Sequence, residues 1–248
     1  MAHHKNEGRD SLPHNKHRDR GRQGTYPSSV GIVARALKRA HRTPSLFNRC
    51  NPFEELLFIL CSIQTNEALY RQTFARLRQK VRRFDQMRTL PLADLVNALK
   101  GGGMATRKAR QIKAIATRLY QVFGRVTLRP LRAFSDSECE LFLTSLNGVG
   151  KKTARCVMMT SLGRDVFPVD THVWRIARRL GWVRATRGDL TCTQEDMDRV
   201  QSLIPTHIRR DLHYNLIAHG RTVCFARNPR CGECCISRYC RARVSKTR

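Results

Sequence analysis

The stretch "LNGVGKKTARCVMMTSLGRDVFPVD", residues 146–170, decides the fold. Gly148 and Gly150 flank Val149, so the backbone can turn sharply there and approach a ligand without a Cβ in the way. Upstream, Leu141, Phe142 and Leu146 give one helix an apolar face. Downstream, Ala154, Val157, Met158 and Leu162 give a second helix another. Residues 138–162 therefore read as helix, tight turn, helix, with the backbone N–H groups of the second helix pointing outward as a ready phosphate site.

Lys151 and Lys152 open that second helix. A cation in the first turn sits at the positive end of the helix dipole, which predicts a lowered amine pKa, more so with burial. A neutral amine is a nucleophile able to form a Schiff base. Successive helical residues lie about 100° apart, so one lysine can enter a cleft while the other neighbours a phosphate. Asp170 follows Pro168 and precedes the apolar series Val173, Ile176, Ala177 and Leu180, an N-cap position. A capping aspartate at a cleft rim can also serve as base or as support for a developing cation.

The charge balance points to a polyanion. Lys and Arg number 47 against 19 Asp and Glu, a net charge of +28 over 248 residues. Such a surplus is costly without a partner to neutralise it, and nucleic acid is the first expectation. An anionic membrane is the weaker rival, since no strongly amphipathic basic helix stands out. The mean hydropathy of -0.47 suits a soluble globular protein. No run of eighteen apolar residues and no apolar N-terminal signal segment are present, so an intracellular protein without a membrane span is expected.

Residues 1–25 are polar and basic and read as a disordered arm. Beyond them helical periodicity dominates. Phe53, Leu56, Leu57 and Leu60 share one face, as do Ile112, Ile115, Ala116, Leu119, Val122 and Phe123. No alternating strand survives, which makes the class all-α. Near the C-terminus, "CFARNPRCGECCISRYC" spaces Cys224, Cys231, Cys234 and Cys240 as C-x6-C-x2-C-x5-C. Four thiolates at that spacing close a loop around zinc or an iron–sulfur cluster, and spacing alone does not separate the two. Cys235 is the odd thiol, expected not to be a ligand. Arg227 and Arg230 project from the first loop and are expected to meet phosphates.

In this order, the hairpin with its lysine, the Val-Asp-Thr-His stretch and the cysteine cluster resemble endonuclease III, the iron–sulfur branch of the helix-hairpin-helix DNA glycosylases. The resemblance covers about residues 30–241. It implies two all-α lobes: a six-helix barrel over residues 45–164, and a discontinuous lobe of residues 26–44 and 165–248 holding a [4Fe–4S] cluster. DNA would lie across the cleft. Lys152 matches the family's nucleophile, Asp170 its catalytic aspartate, and Cys224, Cys231, Cys234 and Cys240 its cluster ligands. Gln64 matches the glutamine that fills the gap left by a flipped nucleotide, and Met104 the residue that wedges into the stack. With Gly148, Gly150, Lys151, Arg227 and Arg230 they form the expected DNA-binding set.

The implied function is a monomeric base-excision glycosylase and abasic-site lyase acting on duplex DNA that carries an oxidised pyrimidine or an abasic site. In a bacterium it would act in the cytoplasm at the nucleoid. Asn147 stands where the family carries Pro, and "SIQTNE" departs from Ser-Ala-Gln-x-Thr-Asp beside the base pocket. "FPVDTHVWRIARRLGWV" and "LHYNLIAHGRTVC" also resemble plant 5-methylcytosine demethylases, so the excised base stays open. A non-enzymatic DNA-binding module and a monofunctional glycosylase are the alternatives. The joint presence of Lys152 and Asp170 argues against the first. The lysine, and the lack of length for an extra C-terminal domain, argue against the second.

Overall fold

A computed structural model describes residues 27–44, 49–184 and 191–242, so the N-terminal arm lies outside the described residues. Among the described residues there are eleven α-helices and no strand. These are α1 (Ser29–His41), α2 (Pro52–Ser62), α3 (Glu67–Lys80), the short α4 (Gln86–Thr89), α5 (Leu92–Leu99), α6 (Ala105–Phe123), α7 (Asp136–Ser145), α8 (Lys151–Ser161), α9 (Thr171–Arg179), α10 (Gln194–Ser202) and α11 (Arg209–Thr222). None of them is long and apolar enough to cross a membrane.

Two apolar cores organise the chain. The first is built from α2 to α8 and runs from Phe53 to Val166, with Tyr214 reaching in from α11. Its central helix is α2, whose residues from Phe53 to Cys61 are all buried apart from Glu54. A helix apolar on every side belongs in the middle of a bundle, and α2 packs against both α3 and α8. The second core starts one residue later, at Phe167, and joins α9, α10 and α11 to Val30, Val33 and Leu37 of α1. The chain thus leaves one lobe between Val166 and Phe167, and α1 returns to pack on α11.

Local signals set the helix ends. Asn51 accepts from Phe53 N and Glu54 N with Pro52 at the first position, and Ser135 with Glu138 closes a capping box at the start of α7. Two expected core positions do not hold. Leu141 is 73% exposed and Val122 41%, because α7 and α6 bury narrower stripes than their apolar residues suggest. On α7 the inward side chains are Cys139 and Leu143.

Candidate active site and nucleic-acid interface

The hairpin is α7, a turn over Leu146–Gly150 and α8. Val149 N donates to Leu146 O at 3.0 Å and closes the turn. Gly148 has φ 68, a conformation that favours glycine, and a Cβ there would lie 2.5 Å from Gln111 Nε2 and displace that amide. That amide donates to Asn147 O at 3.0 Å, tying the turn to α6. Gly150 has an ordinary φ of -87 and open space around it. What it contributes is an uncapped start to α8, for no side chain hydrogen-bonds to the first turn.

Lys152 and Asp170 come from different lobes and line the same cleft, of about 950 Å³, with Glu55, Cys156, His213 and Tyr214. Asp170 is the N-cap of α9, and its Oδ1 accepts from Val173 N at 2.8 Å. His213 Nδ1 lies 3.0 Å from Pro168 O, and burial pushes its pKa down to about 4. A neutral imidazole therefore donates from Nδ1 to that carbonyl and fixes the backbone two residues before Asp170.

The helix-dipole expectation for Lys152 is corrected. Its pKa is raised, first by the Cys156 thiolate and then, against desolvation, by Asp170 and Glu55. Burial also raises Cys156, so at neutral pH that neighbour is a thiol and the two carboxylates do most of the holding. The resting form is an ammonium. It must give up its proton before it can act as a nucleophile.

Lys151 is placed differently from the sequence expectation. Its Nζ lies 2.8 Å from Asp198 Oδ2 and 3.4 Å from Glu140 Oε1, and its side chain is 14% exposed. Arg155, one turn on, binds the same two carboxylates. The ammonium expected beside a phosphate is thus committed to a four-residue cluster that joins α7 and α8 to α10. Glu67 and Arg221, 3.5 Å apart, make a second polar link between the lobes.

Gln64 and Met104 come together on the other side of the loop after α2. Both have left-handed backbones, φ 51 and φ 50, which side-chain-bearing residues adopt only when the surroundings impose it. The restraint is buried. Lys108 is 3% exposed, and its Nζ donates to Cys61 O at 2.8 Å and Gly102 O at 2.7 Å, stitching the Gln64 loop to the glycine run. Gly103 packs against Gln64 O, where a Cβ would sit at 3.0 Å.

Cys224, Cys231, Cys234 and Cys240 line one small cavity of which Cys235 is not part. Among the described residues, no three His, Cys, Asp or Glu side chains converge closely enough to hold a single metal ion. Four thiols converging on one cavity are the donor set that an iron–sulfur cluster takes. Arg179 Nη1 lies 3.0 Å from Cys224 Sγ and His219 Nε2 3.4 Å from Cys234 Sγ, donors suited to thiolates. Arg230 stacks on Phe225 at 5.5 Å and pairs with Glu233 at 3.8 Å, and Arg227 is exposed.

Fold and site together define a helix-hairpin-helix protein whose two lobes meet in a cleft. The profile of the HhH-GPD superfamily base excision DNA repair proteins matches residues 58–200, and that of the iron-sulfur binding domain of endonuclease III matches residues 224–240. The chain belongs to this superfamily, on its endonuclease III branch, and carries a [4Fe–4S] cluster. It is 32% identical to endonuclease III of Bacillus subtilis over 191 residues, 77% of this chain and 81% of that one. It is 38% identical to the putative DNA glycosylase At3g47830 of Arabidopsis thaliana over 166 residues, 67% of this chain but 55% of that protein. A trapped endonuclease III–DNA covalent intermediate superposes with a TM-score of 0.73 at 26% identity, over 86% of this chain and 95% of that one.

The sequence pointed to Lys152, Asp170 and the cysteines, and missed Glu55, Cys156, Lys108 and His213. Only Cys156 left a signal, at i+4 from Lys152 on one helix face.

Proposed function

We propose that the protein is a bifunctional base-excision glycosylase and abasic-site lyase, with oxidised pyrimidines as its first substrate class. One observation carries this reading: an amine at the head of α8 and a carboxylate at the head of α9 share one cleft although they belong to different cores. The cleft volume suits a nucleoside swung out of the helix, at a few kcal/mol for unstacking. Its walls include Phe58 and Tyr70, paired edge to face at 5.2 Å.

Lys152 gives up a proton that ends on the departing base, so that Nζ bonds to C1′ as the glycosidic bond breaks and the base leaves with the bonding electrons and that proton. Asp170 faces the positive charge that develops on the sugar. Opening of the ring gives a Schiff base, which acidifies C2′–H. Loss of that proton expels the 3′ phosphate and cuts the strand. Cys224, Cys231, Cys234 and Cys240 are the cluster ligands in this reading. With their loop closed around the cluster they would hold, exposed Arg227 would lie ready for a phosphate of the duplex.

Borohydride trapping on abasic duplex is the test. Wild type forms a covalent adduct. Lys152→Gln binds DNA without forming it, and Asp170→Asn keeps its cap but releases base slowly. An adduct from Lys152→Gln at the wild-type rate would remove Lys152 as nucleophile. A duplex panel with oxidised pyrimidines, uracil and 5-methylcytosine then assigns the base.

A further inference from the structure

Between α1, α11 and the cysteine loop runs a hydrogen-bonded chain that the proposed chemistry does not use. His219 of α11 is 1% exposed, and its Nε2 lies 3.4 Å from Cys234 Sγ. Its Nδ1 lies 3.1 Å from Nε2 of His41, the last residue of α1 and 178 positions away in sequence. His41 is only half-buried, so two imidazoles in series join the surface to a cluster cysteine.

The chain is fixed at both ends. One turn before His219, buried Asn215 accepts from Thr43 N at 3.0 Å and donates to Thr43 Oγ1 at 3.1 Å, which holds the segment that follows His41. Arg42 and Thr43 there have left-handed backbones, φ 54 and φ 45, a shape that side-chain-bearing residues keep only under restraint. The two imidazole rings meet edge to face with centroids 5.3 Å apart. On the cysteine side, the carbonyl of His219 also accepts from Cys224 N at 2.8 Å.

The direction of the chain follows from its last member. A ligating thiolate has no hydrogen and can only accept, so Nε2 of His219 has to be the nitrogen that carries one. The neutral ring then has a lone pair at Nδ1, and His41 Nε2–H is placed to donate into it. That contact selects the tautomer, and it polarises the ring so that Nε2–H becomes the stronger donor. Arg179, the donor to Cys224 Sγ, needs no such help, because a guanidinium keeps all its hydrogens.

We propose that His41 is a positioning residue for the cluster: by fixing the tautomer of His219 it keeps an N–H on the Cys234 thiolate and makes the cluster harder to oxidise. The proposal rests on the reading above that Cys234 is a cluster ligand. A hydrogen bond to a ligand sulfur draws electron density from it, which disfavours loss of an electron and raises the reduction potential.

The midpoint potential for one-electron oxidation, measured on iron-loaded protein with ferricyanide as oxidant, tests this apart from any action on DNA. His219→Phe should favour the oxidised form by about tenfold, a potential about 59 mV lower, and His41→Phe by about threefold in the same direction. His41→Gln, whose amide can present an N–H to the same nitrogen, should stay at the wild-type value. A wild-type potential in His41→Phe would overturn the proposal. So would an equal shift in His41→Gln, since ring packing rather than a donated hydrogen would then be responsible. If His41→Phe holds no iron, the His41→Gln protein containing histidine labelled with the heavy nitrogen isotope decides. Pulsed paramagnetic resonance of its oxidised cluster should show coupling to that nitrogen, and no coupling would overturn the proposal. Iron assay of Cys234→Ser keeps the two readings apart: full iron content there would remove Cys234 from the ligand set and this proposal with it, whereas iron loss beside an unmoved His41→Phe potential would remove this proposal alone.

Discussion

Replacing Lys108 by methionine asks whether the loops bearing Gln64 and Met104 are held from within. Methionine keeps an unbranched stem and removes the donors to Cys61 O and Gly102 O. Each carbonyl then stays buried without its partner, at about 1–3 kcal/mol apiece. The fold no longer desolvates an ammonium, whose pKa burial lowers, and this returns part of the loss. The balance is a destabilisation of about 2–4 kcal/mol, or roughly 5–15 °C in Tm for a chain of this length. Melting is followed by circular dichroism with the cluster intact, beside binding to a tetrahydrofuran duplex. Affinity for the abasic site should fall by about tenfold while affinity for intact duplex stays within about twofold, because the exposed cations are untouched. An unchanged Tm with unchanged abasic-site affinity would show that the two left-handed residues hold their shape without Lys108.

Asp198→Asn should lower stability by about 1–3 kcal/mol, because buried Arg155 loses a charged partner, and should tighten binding to intact DNA as Lys151 is released. Weaker binding would mean that the cluster shapes the hairpin more than it occupies the lysine. His213 titrates at 6.5 when unfolded and about 4 when folded, so the unfolded chain takes up the proton first and stability falls as pH drops from 6.5 toward 4. The contribution is at most about 3 kcal/mol, and the stability gap between wild type and His213→Gln should narrow across that window; parallel curves would contradict it. Cys235→Ser should keep the iron content of wild type and Cys231→Ser should lose it, read by iron assay and the visible absorption of the cluster. Equal loss in both would bring Cys235 into the ligand set.

Much of this was legible in the sequence where the signal was local. The φ of Gly148 favours glycine, and Asp170 could be read as a cap from Pro168 and the apolar series behind it. The cysteine spacing was local too, yet the choice of cluster over zinc needed the likeness to the iron–sulfur family. What escaped was set by side chains far away in the chain. Glu55 comes from α2 to raise the pKa of Lys152, and Asp198 comes from α10 to hold Lys151. Lys108 lies in "TRKAR" among exposed cations, and only the close packing of two loops distinguishes it. Leu141 misled because an apolar residue on a helix is weak grounds for burial.

The division of the cores has a consequence for synthesis. All of the first core except Tyr214 lies between Phe53 and Val166, so it can assemble while the rest of the chain is still being translated. The second core cannot, because α1 emerges early and must wait for α11 and for Ile236. Lys152 is therefore in place on a folded barrel well before Asp170 has a helix to cap. A nascent chain halted before the cysteine loop would display the hairpin without the opposite wall of its cleft, and the protein acquires a complete reaction site only when almost its last described residues have left the ribosome.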